Sequence, residues 1–412
     1  MPFHHVRVPS HEPRLDDVAA VTATTLAACG VTIEPGWTVA IAAGSRGIRD
    51  LVVVIAEVAA WVRSQGGQPF LVPAMGSHGG ATAAGQREVL ESYGLGGLGL
   101  EIRATMEVVS VPQDDCPVPV VFDAIAAAAD ATIVVNRVKP HTDFHGRYES
   151  GVVKMSAIGL GKRVQADALH SFGTHGLREL MPLVAAQVLR HTNVVLGVAI
   201  VENSHDETMA VEAIAADHLL DAEPRLLELA RAHLPRLPVD RLDVLLVDRM
   251  GKDISGVGMD TNVIGRIMID GEPDPPAPRI AMIGCHALTA ASHGNACGMG
   301  LADVVSRSFA DSVDMDVTRT NIVTSGFLLR GKLPVVADDD RHVWDLCLRG
   351  GGVRDVATVR AARIVDTLHC DELWVSDAVL DDLRANAALE FELVRSGLEL
   401  HDSDGRLAPF AE

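Results

Sequence analysis

Imidazole and amine side chains crowd into one stretch of this chain, NRVKPHTDFHGRYESGVVKMSAIGLGKRVQADALH, from Asn136 to His170. These groups exchange protons, bind soft metals or attack carbonyl carbon near neutral pH. The stretch holds His141, His145 and His170, with Lys154 set between apolar residues. Burial there would depress the lysine and favour chemistry on its neutral amine, as a Schiff-base lysine or a covalent anchor; a snorkelling lysine is the ordinary alternative. Six Lys/Arg stand against three acids here, whereas the whole chain carries −20. A positive, glycine-rich segment in an acidic protein suits an anionic ligand.

The other candidates each have an ordinary counterpart. His141 and His145 are four apart, the spacing of two metal ligands on a helix. Pro140 and Gly146 argue against a regular helix, so separate roles are expected, with one of the two free to be structural. In MGSHGGAT (75–82), His78 stands between glycines; Gly76 lets a ligand approach the backbone, and His78 is either a general acid/base or a turn residue capping the next helix. In AGSRG (43–47), Ser45 and Arg46 offer a helix start and a bidentate anion clamp, or a capped helix with a surface arginine. His170 alone reads as an ordinary helical histidine. In the second half, GKDISGVGMDTN and SHGNACGMGLAD supply Lys252, Asp253, His293 and Asn295 among glycines, a pattern of ligand contact more than of tight turns.

Short β-branched runs position these groups. TVAIAAG (38–44), PFLVPAM (69–75), ATIVVNRV (131–138) and NVVLGVAIV (193–201) read as strands alternating with helical runs such as RDLVVVIAEVAAWVRSQ and AAGQREVLESY. DVLLVDRM (243–250), RIAMIG (279–284) and ELWVSD (372–377) continue the pattern after the prolines of HLPRLPVDRL. The expected fold class is α/β: two α/β domains with mainly parallel sheets, residues 1–238 for cofactor and catalysis and 239–412 closing the site. AGSRG, MGSHGG, KPHTDFHG and GKDISG each follow a strand, where open α/β sheets bind ligands. The active site is therefore expected in an interdomain crevice.

The bulk numbers exclude several classes. At 412 residues and 48% hydrophobic content, two substantial cores are expected. The net charge of −20 argues against nucleic acid or an anionic membrane surface as partner. The six cysteines include no CxxC pair and read as small buried hydrophobes. The N-terminus lacks signal-peptide order, and no apolar run reaches bilayer length, so a cytoplasmic protein is expected.

Taken in order, these residues resemble the nickel-dependent lactate racemase family and its 2-hydroxyacid racemase relatives. The features are the Ser45-Arg46 turn, glycine-flanked His78, Pro140-His141, the glycine-rich approach from Gly151 to Lys154, and His170 sixteen residues beyond the lysine. The resemblance is specific over roughly residues 40–175. It implies a nickel-pincer nucleotide, a pyridinium-3,5-bisthiocarboxylic acid mononucleotide with Ni(II), linked to Lys154 as a thioamide, with His170 on nickel. It implies His78 and His141 as acid/base pair, Ser45 and Arg46 on phosphate, and Gly76 and Gly151 against the cofactor. Racemisation would pass hydride from C2 of a 2-hydroxy acid to the cofactor and back. Cofactor-synthesis proteins would be partners, and protein from a host lacking them would be the apo form. The sequence departs from the family in two places. The Pro-His to lysine spacing is longer, so His145 competes with His141. The family's substrate-holding glutamine and lysine are missing, and Lys252, Asp253, His293 and Asn295 stand instead, favouring a hydroxy acid other than lactate. A Schiff-base lyase or aldolase using Lys154, and a non-catalytic nickel or cofactor carrier, are the alternatives.

Overall fold

The computed structural model describes residues 1–44 and 47–410. It divides into two compact units, Glu12–Leu234 and Met1–His11 with Pro235–Glu412. The sequence-based division assigned residues 1–238 to one domain. The first eleven residues instead belong with the C-terminal half, because β1 (Phe3–Arg7) is a strand of that unit's sheet.

In the unit Glu12–Leu234, β2 (Thr38–Ala43) and β3 (Gln68–Pro73) pair in parallel, ahead of a small antiparallel hairpin of β4 (Val108–Ser110) and β5 (Val121–Asp123). Next come β6 (Ala131–Arg137), β7 (Val194–Glu202) and β8 (Thr208–Ala215). The five-stranded sheet runs β3-β2-β6-β7-β8, parallel except for β8. Val39 to Ala43 are fully buried, as a strand covered on both faces must be. Apolar cores lie on either side, one including Val54, Ile55 and Val58, the other Val152, Leu160 and Val184. The helix after β2 begins at Leu51, not near Ser45, with Asp50 preceding it.

The other unit carries β9 (Arg241–Met250), β10 (Arg279–Leu288), β11 (Val304–Val305), β12 (Val335–Val336), β13 (Ala361–Ile364), β14 (Glu372–Ser376) and β15 (Glu392–Leu398). Its eight-stranded sheet runs β12-β11-β10-β9-β13-β14-β1-β15. The strands from β12 to β13 are parallel, and β14, β1 and β15 add antiparallel pairings. Among the described residues no helix is long and apolar enough to cross a membrane.

Candidate active site

Three strand ends converge on the segment that carries Lys154. Gly44, after β2, lies against Asn136 of β6; a Cβ at Gly44 would stand 2.5 Å from the Asn136 amide oxygen and 3.6 Å from Met155 Sδ. Asn136 Nδ2 in turn donates to the carbonyls of Arg137 and Gly151. Past β3, Gly76 N donates to Gly159 O at 3.2 Å, and Gly76 (φ +59°) packs on Ile158 and Ala166. A side chain there meets both a left-handed backbone and a filled space. Ser45 and Arg46, expected at a phosphate, lie outside the described residues.

Residues 139–150 form a loop closed by Lys139 N to Ser150 O (2.8 Å) and Ser150 N to Lys139 O (3.2 Å). Buried Glu149 organises it from within. Its carboxylate accepts from His141 N (2.5 Å), Gly146 N (2.9 Å), Arg231 (2.5 Å) and His145 Nδ1 (3.3 Å). Burial alone would raise this carboxyl. The contacts from His145, His141, Gly146 and Arg231 outweigh it and hold the group below the ordinary glutamate range.

The loop delivers His141 to Lys154. His141 Nε2 lies 2.7 Å from Lys154 Nζ, and the backbone N–H of Asp143 donates to His141 Nδ1 at 3.1 Å. The ring packs on buried Phe144, with centroids 4.9 Å apart. His145 turns to Glu149 instead, and Arg178 holds its carbonyl at 2.8 Å. The two competing histidines are thereby separated: His141 meets the amine, and His145 is part of the Glu149 scaffold.

Lys154 ends a single helical turn, Val152–Lys154, and a π-helical turn, Met155–Gly159, follows at once. Such turns are rare and concentrate at functional sites. Gly151 precedes the turn because a Cβ there would fall on the Glu223 carboxylate, 2.6 Å from Oε2. Glu223 Oε2 accepts from Val153 N at 2.9 Å, and Oε1 has no hydrogen-bond partner among the described residues. Burial raises this carboxyl to about 7 against those backbone contacts. The structure thus gives Gly151 a packing reason, where the sequence reading gave it a cofactor contact.

The sequence reading left Lys154 either depressed by burial or snorkelling. Lys154 is half-buried, and the fully buried lysine is Lys162. Lys162 Nζ reaches Asp123 Oδ2 (2.8 Å), Pro73 O (2.5 Å) and Gln86 Oε1 (3.3 Å). Burial pushes its ammonium below the ordinary lysine range, and Asp123 opposes the shift. Gln86 passes the constraint on, donating to Gly76 O (2.9 Å) and His78 O (3.3 Å). His78 itself is exposed on that loop.

The helix Lys162–His170 ends in His170, and a second π-helical turn, Gly176–Leu180, lies just beyond. His170 is exposed by surface area, yet the surrounding protein still desolvates its imidazolium. That desolvation and the charge of Lys154 lower its pKa, against Asp143 and Asp167. A lowered pKa leaves the neutral imidazole a metal requires. Among the described residues no three His, Cys, Asp or Glu side chains gather as a metal site.

In the other unit, Lys252, Asp253 and Asn295 belong to one polar cluster beyond β9 and β10. Lys252 Nζ donates to Gly256 O (2.6 Å) and Asn321 Oδ1 (2.8 Å), and Asn295 Nδ2 also reaches Asn321 Oδ1 (3.2 Å). Lys252 N donates to Ser292 Oγ (2.9 Å), and Thr289 Oγ1 donates to Asp253 Oδ1 (2.5 Å). His293 is exposed with φ +48°. Sequence reasoning missed Thr289, Ser292 and Asn321 here, and Asp143, Glu149, Gln86, Lys162 and Glu223 in the first unit. Only Glu149, four residues after His145, had a local signal.

No known family model and no curated protein matches the sequence. Solved structures do match the fold. One is the lactate racemase apoprotein from Thermoanaerobacterium thermosaccharolyticum, with a TM-score of 0.54 and 10% identity over 89% of this chain and 99% of that one. The chain therefore has a lactate-racemase-like α/β fold.

Proposed function

We propose that this protein is a racemase or epimerase of a 2-hydroxy acid other than lactate, working with a nickel-pincer nucleotide. The observation that carries the reading is the 2.7 Å contact of the Lys154 amine with the His141 imidazole on a lactate-racemase-like fold. The residues present fit such a group. Lys154 offers an amine for a thioamide link, and His170 offers a single neutral imidazole in the same electrostatic neighbourhood. An imidazole with soft sulfur and carbon donors suits square-planar Ni(II). Bound there, the group would supply a reversible hydride acceptor for C2 of the substrate.

The chain's own residues would do the rest. Lys154 would tether the group and His170 would ligate its metal. His141 would take the substrate's hydroxyl proton and return it, because it reaches the lysine while His145 is engaged with Glu149. His78 is the second acid/base candidate, on a loop held through Gln86 and packed on the turn after Lys154. The partners on this reading are the hydroxy acid and the proteins that make the cofactor. The test is inversion of single enantiomers from a hydroxy-acid panel by nickel-loaded holoenzyme in deuterated water. The C2 hydrogen should be retained, and wash-in of deuterium at C2 at the rate of inversion would overturn the hydride mechanism.

The same amine–imidazole contact favours one other reading, a lyase or aldolase that forms an imine on Lys154. Borohydride trapping of a carbonyl substrate on Lys154 without nickel would select it. Intact mass separates the two: an adduct on Lys154 with stoichiometric nickel belongs to the first alone.

A further inference from the structure

We infer that Pro224 is a positioning residue: by offering no N–H inside the helix Leu219–Ala232, it leaves the Leu220 carbonyl to hold Tyr148, and so ties the His141 loop to the helix that also holds the Lys154 turn. The inference starts from a helix that breaks a backbone rule. Pro224 is the sixth residue of Leu219–Ala232. Proline is at home in the first turn of a helix, where N–H groups lack helical partners. Deeper in, it removes one bond and crowds the carbonyl four residues back. That carbonyl belongs to Leu220. A helical carbonyl tilted off the axis is open to another donor. The Tyr148 hydroxyl donates to Leu220 O at 2.6 Å. Tyr148 is buried, so its hydroxyl needs such a partner.

The same helix serves both sides of the Lys154–His141 contact. Leu220, Glu223, Leu227 and Arg231 stand at i, i+3, i+7 and i+11, on one helical face. From that face Glu223 Oε2 accepts from Val153 N at 2.9 Å, next to Lys154. Arg231 reaches the Gly146 carbonyl (3.0 Å) and the Glu149 carboxylate (2.5 Å), which in turn accepts from His141 N (2.5 Å). Tyr148 adjoins Glu149 in the chain, so the Leu220 carbonyl adds a further grip near the closing end of the loop. Two neighbouring residues thus address the two partners. Glu223, through its carboxyl, meets the turn that ends in Lys154. Pro224, through the carbonyl it frees, meets the loop that carries His141. The 2.7 Å approach of Nε2 to Nζ is thereby referred to one rigid element. The inference rests on the proposed function only for what His141 and Lys154 do; the anchoring stands apart from it.

Pro224→Ala, Tyr148→Phe and the double variant separate this device from an ordinary kinked helix. Alanine restores an N–H that draws the Leu220 carbonyl back toward the axis, so Pro224→Ala should unfold at higher urea than wild type. Hydrogen exchange of the cofactor-free full chain, read peptide by peptide, should then move in opposite directions. Amides of 219–232 should exchange more slowly. Those of 139–150 should exchange about 3–10-fold faster, the loss expected for one ordinary hydrogen bond. Tyr148→Phe should give the same loop loss without slowing the helix. The double variant should add nothing to that loss, since both changes remove one bond. In nickel-loaded protein Pro224→Ala should lower kcat with KM held within about twofold, so that the more stable enzyme is the slower one. Unchanged exchange over 139–150 in Pro224→Ala overturns the inference. So do additive loop losses, which would mean two separate routes, and so does full kcat in Pro224→Ala, which would leave the proline merely structural. If no hydroxy acid is turned over at all, the racemase reading falls and the exchange result alone decides the inference.

Discussion

Lys154 and Lys162 stand eight residues apart in one glycine-rich segment, Lys154 between Val153 and Met155 and Lys162 between Gly161 and Arg163. The structure gives them opposite tasks. Lys154 is half-buried and ends in an imidazole contact; Lys162 is fully buried and ends on three oxygens. Lys162 also takes φ +55°, a left-handed backbone that costs a residue with a Cβ about 1 kcal/mol or more. Such strain persists only where surroundings hold it, and here the holding contacts also brace the His78 loop through Gln86. The lysine with apolar neighbours in sequence is therefore not the fully buried one. What distinguishes the two is the contact described at the end of each side chain.

The largest effects follow from exchanging those tasks. Lys154→Met should abolish the mass addition and the turnover of nickel-loaded protein, while changing urea-unfolding stability by less than about 1 kcal/mol. Lys162→Met should cost about 3–5 kcal/mol, because Asp123 is left as an uncompensated carboxylate at 0% exposure. Adding Asp123→Asn should recover much of that loss. A stability loss of several kcal/mol in Lys154→Met, or none in Lys162→Met, would erase the distinction between the two lysines.

The two loop histidines repeat the comparison on a smaller scale. His141→Asn should lower kcat of the loaded enzyme by about 10²–10⁴-fold, the range for removal of a general acid/base. His145→Asn should lower it by less than about tenfold, since it subtracts one of four partners from Glu149. Equal losses would mean that the Glu149 scaffold and the reacting residue cannot be told apart by their contacts.

Beneath Lys154 the comparison extends to two buried carboxyls. Glu149 is paired and held low, whereas Glu223 is raised to about 7 by burial. A carboxyl raised on folding binds its proton more tightly in the folded state. Its contribution to stability is present below the unfolded pKa, near 4.5, and is lost as pH rises toward 7. Wild type should therefore lose up to about 3 kcal/mol relative to Glu223→Gln between pH 4.5 and 7, read as the difference between urea midpoints. Gly151→Ala should cost about 1–3 kcal/mol by driving a methyl into that carboxyl.

How much of this was legible depends on the range of the interaction. The runs at 38–44, 69–75, 131–138 and 193–201 appear as Thr38–Ala43, Gln68–Pro73, Ala131–Arg137 and Val194–Glu202, because a strand buried on both faces shows itself in its own residues. Phe3–Arg7 was passed over, since FHHVR is short and its pairing partners, Glu372–Ser376 and residues of β15, are remote in sequence. The candidate site divides similarly. Histidine, lysine and glycine types marked the loop, and the His141–Lys154 contact spans only thirteen residues. Glu223 reaches Val153 from seventy residues away, and Lys162 reaches Pro73 from eighty-nine, so no local pattern could announce them. The division of labour between His141 and His145 was equally hidden, because it is decided by which of them Glu149 engages through its side chain.

The smallest expected effect tests whether the second polar cluster resembles Lys162 or Lys154. Lys252, like Lys162, is met by oxygens, from Gly256 and Asn321. It is only partly buried, however, so water can replace a lost acceptor. Asn321→Ala removes one acceptor shared by Lys252 and Asn295 and should cost about 0.5–1.5 kcal/mol of unfolding free energy, the net worth of ordinary hydrogen bonds. A loss above about 3 kcal/mol would place Lys252 with the buried, structural lysine. A loss within the expected range leaves its ammonium held loosely enough to exchange an amide oxygen for a carboxylate, the behaviour expected of a ligand-binding cation.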